Sequence, residues 1–274
     1  MIHNKNLVFL YHGTYDPNGM QNIKRILHDD IQSTIPARRN TDFGPATYLT
    51  NRVTQAMEWA TRRKTDGWLC SFTLDLSGLN VLNLDPRHEP PLRWIAELIY
   101  NRDFKDISQN EWNYVVRNWR INPDGYDIIL GYTADDKYIS MFRDFFTNNL
   151  SFIGLCKAAM LGDLGYQYAV RTHNGYNALQ RCADNKQVLK SIWYPRLLMR
   201  QEITEKHYEY IKAQHGKNAE NELFFSQMMR MNVMPDDPVV TFPRNDLEKN
   251  AMIEHRIFEE TDALADYGIY PGAR

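Results

Sequence analysis

The chain has 274 residues, of which 43% are hydrophobic and 24% charged, with a formal net charge of -2. That is enough for one large domain with a sizeable core, or one domain plus an extension. Near-neutral charge argues against a dedicated nucleic-acid coat or a polybasic membrane binder, and leaves room only for a local basic patch.

Leu7 to Tyr11 is a continuous apolar run and predicts a buried strand. Asp16-Pro17-Asn18-Gly19 has turn chemistry, Gln21 to Leu27 predicts a short helix, and residues 29 to 43 a polar loop. Ala46 to Leu49 predicts a strand, and Asn51 to Arg63 a helix with Val53, Ala56, Met57 and Ala60 at helical spacing. Strands are expected at Trp68 to Leu76, Asn80 to Leu84, Tyr126 to Gly131 and Tyr166 to Thr172. Helices are expected at Leu92 to Tyr100, Glu111 to Trp119, Lys137 to Thr147 and Ser151 to Gly162. From about residue 186 strand signals thin out and helix formers dominate, as in Arg200 to His215 and Ala219 to Met231. The expected division is therefore a first domain at 1–185 and a mostly helical C-terminal extension at 186–274.

Cys70, Cys156 and Cys182 show no Cys-x-x-Cys spacing, so neither a zinc ribbon nor a disulfide scaffold is expected, and a reducing compartment fits. Residues Met1 to Asn6 lack a signal-type apolar core, and no apolar run approaches the roughly 20 residues that span a bilayer. A cytoplasmic protein without a membrane partner is the expectation. Asp135 and Asp136 are two adjacent loop carboxylates, too few oxygen ligands for a metal site, and no metal is expected.

Two short segments carry the functional signal. The first strand ends in His12-Gly13-Thr14, and Asp42-Phe43-Gly44 leads into Pro45-Ala46-Thr47-Tyr48-Leu49. A second aromatic, Trp59, follows on the next helix, and a late strand reads Tyr166-Gln167-Tyr168-Ala169-Val170. In this order the segments resemble the three motifs of the histidine–tyrosine branch of the ADP-ribosyltransferase superfamily, which includes diphtheria toxin and the poly(ADP-ribose) polymerases. A narrower resemblance, over about residues 8 to 180, is to an uncharacterised bacterial domain family placed in that superfamily. It rests on Asp42-Phe43-Gly44, Gln55-Ala56, Trp59-Ala60, Tyr126-Asp127-Ile128-Ile129-Leu130-Gly131 followed by Ala134-Asp135-Asp136, and Gln167.

The resemblance implies an α+β fold: a split, mostly antiparallel β core, a pair of small sheets around an NAD cleft. It implies NAD as substrate. His12 would bond a ribose hydroxyl on the adenosine side, and Gly13 would offer its backbone to the nicotinamide carboxamide, where a side chain would obstruct. Thr14 matches the hydroxyl residue that follows, and Gly44 opens the turn before the second strand. Tyr48 and Trp59 would hold the nicotinamide ring by stacking. Arg38 and Arg39, in the loop between the motifs, would suit the pyrophosphate. Gln167 stands where the superfamily commonly has Glu. Its amide oxygen can accept from a ribose hydroxyl but takes no proton and carries no full charge.

The expected activity is mono-ADP-ribosyl transfer to a macromolecular acceptor, protein or RNA or DNA, with poly-chain elongation disfavoured by Gln167. An NAD glycohydrolase using the same site, and a catalytically weak NAD or ADP-ribose binding module, are the alternatives. By family analogy the role is that of a bacterial toxin, effector or phage-defence component, with the C-terminal helices available to an antitoxin or other partner.

Overall fold

The computed structural model describes residues 6–15, 41–86, 88–102, 104, 107–134, 139–162 and 164–240. The expected turn at 16–19, the helix at 21–27, Arg38, Arg39, Asp135 and Asp136 lie outside them. Among the described residues, eight strands are interspersed with helices. In chain order they are β1 (Leu7–Thr14), β2 (Thr47–Thr50), α1 (Val53–Thr61), β3 (Gly67–Asp75), β4 (Val81–Asn83), α2 (Pro91–Asn101), α3 (Gln109–Asn118) and β5 (Ile128–Tyr132). There follow α4 (Ile139–Phe146), α5 (Phe152–Ala158), β6 (Tyr166–Val170), α6 (His173–Asn177), β7 (Leu179–Arg181), β8 (Lys186–Val188), α7 (Lys190–His215), α8 (Phe225–Met231) and a short 3-10 turn at Pro238–Val240.

The fold is α+β. The strands join one sheet in the order β4-β5-β6-β2-β1-β3-β7, with β8 also on β3. Among the described strands, only β4 and β5 run parallel to each other. The expectation of two small sheets is thus corrected to one sheet, because the Tyr11↔Thr50 pair bridges β1 to β2. The apolar run Leu7 to Tyr11 forms the expected strand, β1, but not a buried one: Leu7 and Phe9 are exposed and only Leu10 of the run is buried, while β7 and β8 were not anticipated. Both are three-residue edge strands rich in polar side chains (Leu179-Gln180-Arg181 and Lys186-Gln187-Val188), so neither offers an alternating pattern to read.

Helices cover one sheet face in two groups. The larger core cluster joins Ile129 and Ala169 of the sheet to Trp94 and Leu98 of α2, Val115 of α3 and Phe145 of α4. A smaller cluster packs Ala56, Met57 and Ala60 of α1 on Leu69 of β3, with Trp193 of α7 closing it. The opposite face carries its own apolar set, including Leu10, Leu49, Phe72 and Val170.

The described part of the C-terminal extension, residues 186–240, is built into this core. Its first element is β8, paired with β3. The α7 helix starts well before the expected Arg200, even though Pro195 lies inside it. The Asp66 carboxylate accepts the Lys190 N–H at 2.8 Å and holds the helix start in place of a local cap. Pro195 removes one internal hydrogen bond, a cost α7 bears through tertiary contacts. Farther on, Phe225 and Met228 of α8 and Val233 enter the main cluster. The Val233 carbonyl accepts from Trp119 Nε1 at 2.8 Å and Tyr114 Oη at 2.9 Å. The expected helix at 219–231 shortens to α8, which ends at Asn232 in the left-handed conformation that favours Asn and Gly. Among the described residues, no helix is long and apolar enough to cross a membrane.

Candidate functional site

The β1–β3 junction is a full ladder of eight registered pairs, Leu7↔Asp75 to Thr14↔Trp68. On its other edge β1 meets β2 through the single registered pair Tyr11↔Thr50. Where that pairing stops, the His12 ring takes over: Nδ1 lies 2.8 Å from the Tyr48 carbonyl oxygen. A carbonyl only accepts, so Nδ1 carries the proton, and in the neutral ring Nε2 is the acceptor nitrogen.

Strand register fixes which side chains share a face. Thr50 faces Gln167 and Tyr48 faces Ala169 across β2–β6, and Gly131 faces Gln167 across β5–β6. Side chains alternate along a strand. Tyr48, Thr50 and Gln167 therefore stand on one face, together with Tyr11 and Gly13. His12 starts from the opposite face, and its ring reaches Tyr48 only through the seam between β1 and β2.

The Tyr48 ring is held by its own turn. Its hydroxyl donates to the Gly44 carbonyl at 2.6 Å and accepts from the Phe43 N–H at 2.9 Å. The ring lies stacked against Phe43 with centroids 6.5 Å apart. Burial drives the phenol far above its ordinary range, so Tyr48 is neutral at any physiological pH. Gly44 has φ +74°, and a Cβ there would stand 2.9 Å from Asn101 Oδ1. The glycine of this motif thus shapes the turn that grips Tyr48.

Beside this turn lies a buried polar cluster. Gln167 Nε2 donates to Asp42 Oδ2, and Arg102 Nη2 donates to Asp42 Oδ1. Arg102 Nη2 also reaches the Ala134 carbonyl at 3.1 Å, and the Ala134 N–H donates to Asp42 Oδ2 at 3.3 Å. Asn101 Nδ2 donates to the Asp42 main-chain oxygen at 3.4 Å. Asp42 and Gln167 are 5% and 7% exposed, so this is an interior ion pair with an amide attached to it. Burial raises the Asp42 carboxyl above the usual carboxylate range, against the opposing effects of the Arg102 charge and the hydrogen bonds from Gln167, Arg102 and Ala134. Sequence reasoning passed over Asp42 and Arg102 as site residues. Asp42 had a signal, since it heads the Asp42-Phe43-Gly44 segment; Arg102, at the end of α2, had none.

The structure brings His12, Tyr48 and Gln167 to three adjacent strands, β1, β2 and β6. Gly13 is explained by packing: a Cβ there would lie 1.8 Å from the Ala56 carbonyl oxygen of α1. Packing against α1 by itself demands a glycine at this position. Thr14 is buried at the end of β1 opposite Trp68. Trp59 lies on the outer side of α1, 44% exposed, with the Arg62 guanidinium 4.4 Å above its ring. The Tyr48 ring stacks on Phe43 of its own turn. Among the described residues, no group of three or more His, Cys, Asp or Glu is placed to hold a metal ion.

Fold and site together define an α+β domain with a seam beside a buried carboxylate–guanidinium–amide cluster. Residues 8–180 match the model of the family described as "protein of unknown function (DUF3990)", and the chain belongs to that family. No curated protein and no solved structure matches the chain.

Proposed function

We propose that the chain is a mono-ADP-ribosyltransferase that consumes NAD and modifies a macromolecular acceptor. One observation carries the reading. The strands bearing His12, Tyr48 and Gln167 are neighbours, His12 spans the β1–β2 seam to the Tyr48 carbonyl, and Gln167 shares a face with Tyr48. In this reading the sheet is an ADP-ribosyltransferase core split at that seam. Tyr48 stacks on nicotinamide, His12 Nε2 accepts from a ribose hydroxyl of the adenosine half, and Gln167 Oε1 accepts from the nicotinamide-ribose 2′-hydroxyl. The glycosidic bond breaks with its electron pair leaving on nicotinamide, the acceptor's nucleophile bonds the ribose C1′, and the proton it carried is released to solvent. The leaving group is already cationic, so orientation and charge stabilisation are the protein's main contributions.

A second reading is a binding module with little turnover. It is favoured by the uncharged amide of Gln167, whose nitrogen is committed to Asp42.

The test is incubation of the purified chain with NAD labelled in its ADP-ribose moiety and separate protein, RNA and DNA pools. Transfer predicts label in one pool, lost in Tyr48→Ala. Nicotinamide release without label means that water is the acceptor. Thermal stabilisation by NAD without release means the binding module, and no response of any kind overturns all three.

A further inference from the structure

The Gln167 position lacks a carboxylate, yet a carboxylate is in direct contact with it. Asp42 Oδ2 receives the Gln167 Nε2 proton, while Oδ1 is anchored by Arg102. The anchor is firm: Arg102 leaves the end of α2 with its side chain 8% exposed, its neighbour Asn101 bonds the Asp42 main-chain oxygen, and the Ala134 N–H, from a separate segment, bonds Asp42 Oδ2. An ionised carboxylate only accepts, so it selects the nitrogen of the Gln167 amide and leaves Oε1 directed away from Asp42. Without a fixed acceptor, a glutamine amide can turn either atom toward a ligand.

We infer that Asp42, held by Arg102, is the positioning residue for Gln167, fixing its amide so that Oε1 serves as the acceptor and setting a negative charge directly behind it. This rests on the NAD reading above. It also explains how a glutamine is accommodated here: the charge has moved one side chain back, to position 42.

A consequence separates this arrangement from a purely structural one. Gln167→Glu sets two carboxylates against each other, and like charges at such a distance cannot both be accommodated. Moving the charge, with Asp42→Asn in the same chain, removes the clash and keeps the charge of the cluster.

The test measures kcat and KM for nicotinamide release from NAD in wild type, Gln167→Glu, Asp42→Asn and the double variant, with thermal unfolding as the check of folding. Each single variant is expected to lose about tenfold or more in kcat with KM changed less than about threefold. The double variant is expected to return to within about threefold of wild-type kcat. Should the double variant not fold, a second cycle serves: Asp42→Asn should cost nothing further in a Gln167→Ala background. Wild-type turnover with an undiminished Gln167→Glu, or with losses that simply multiply, overturns the positioning role and leaves the NAD reading standing. A wild type that neither turns over NAD nor is stabilised by it overturns the NAD reading, and this inference with it.

Discussion

Arg200 Nε of α7 donates to Glu58 Oε2 of α1 at 2.7 Å, with both side chains less than a tenth exposed. This buried pair ties the C-terminal extension to the helix that follows the Tyr48 strand. Arg200→Ala strands the Glu58 charge, and a loss of about 3 kcal/mol or more in urea unfolding is expected. Replacing both by apolar residues, Glu58→Leu with Arg200→Met, should cost clearly less. Equal losses would show that the pair itself is not the source of the effect.

Gly13→Ala forces a methyl group against the Ala56 carbonyl of α1. Main chain cannot swing aside as a side chain does, so α1 must shift from β1. Expected is a destabilisation of about 2–3 kcal/mol, seen as a lowered unfolding midpoint. Gly78→Ala provides a control. Its neighbourhood is open and its positive φ is the only strain, so the loss should be smaller.

Tyr48→Phe and Tyr48→Ala should separate structure from function. The phenylalanine variant keeps the ring but leaves the Phe43 N–H without its acceptor, for a loss of about 1–3 kcal/mol. Under the proposed reading it retains NAD turnover. Tyr48→Ala removes the ring and should abolish turnover. A phenylalanine variant as dead as the alanine variant would shift the role from ring to hydroxyl.

The thiols give a pH-dependent prediction. Burial pushes the Cys70 thiol up to about 12, and Cys156 is also buried with a raised pKa. Cys182 is exposed. A thiol reagent at pH 8 should label Cys182 in the native protein and reach the other two only on unfolding. For Cys70, the unfolded chain releases its proton near the ordinary thiol value of 9.0, whereas the folded chain keeps it to about 12. The folded state thus binds more protons in that window, and stability falls as pH rises through it. Urea midpoints from pH 8 to 10.5 should decline in wild type and less steeply in Cys70→Ala.

Legibility tracked the range of the interactions. The β1 run and the helical spacing of Val53, Ala56, Met57 and Ala60 are local patterns, and both became the expected elements. The order of His12, Tyr48 and Gln167 was also readable. Their setting was not. The Gln167–Asp42 bond joins residues 125 positions apart, and Arg102–Asp42 joins residues 60 apart, so no local spacing reports either one. The demand for glycine at 13 came from a neighbouring helix rather than from its own strand. The β7 and β8 strands pair because β3 offers them an edge, not because their residues prefer extended chain.

The seam beside Tyr48 has a mechanical consequence. The β1–β3 junction carries eight registered pairs and the β5–β6 junction five, but the β1–β2 junction carries one. In backbone terms the sheet is two panels joined by a single stitch, with the His12 imidazole as a second fastening from a side chain. The apolar cluster that includes Leu10 and Leu49 backs that joint. Drawn apart, the two panels would part along this joint, against one backbone bridge, one imidazole contact and that apolar backing.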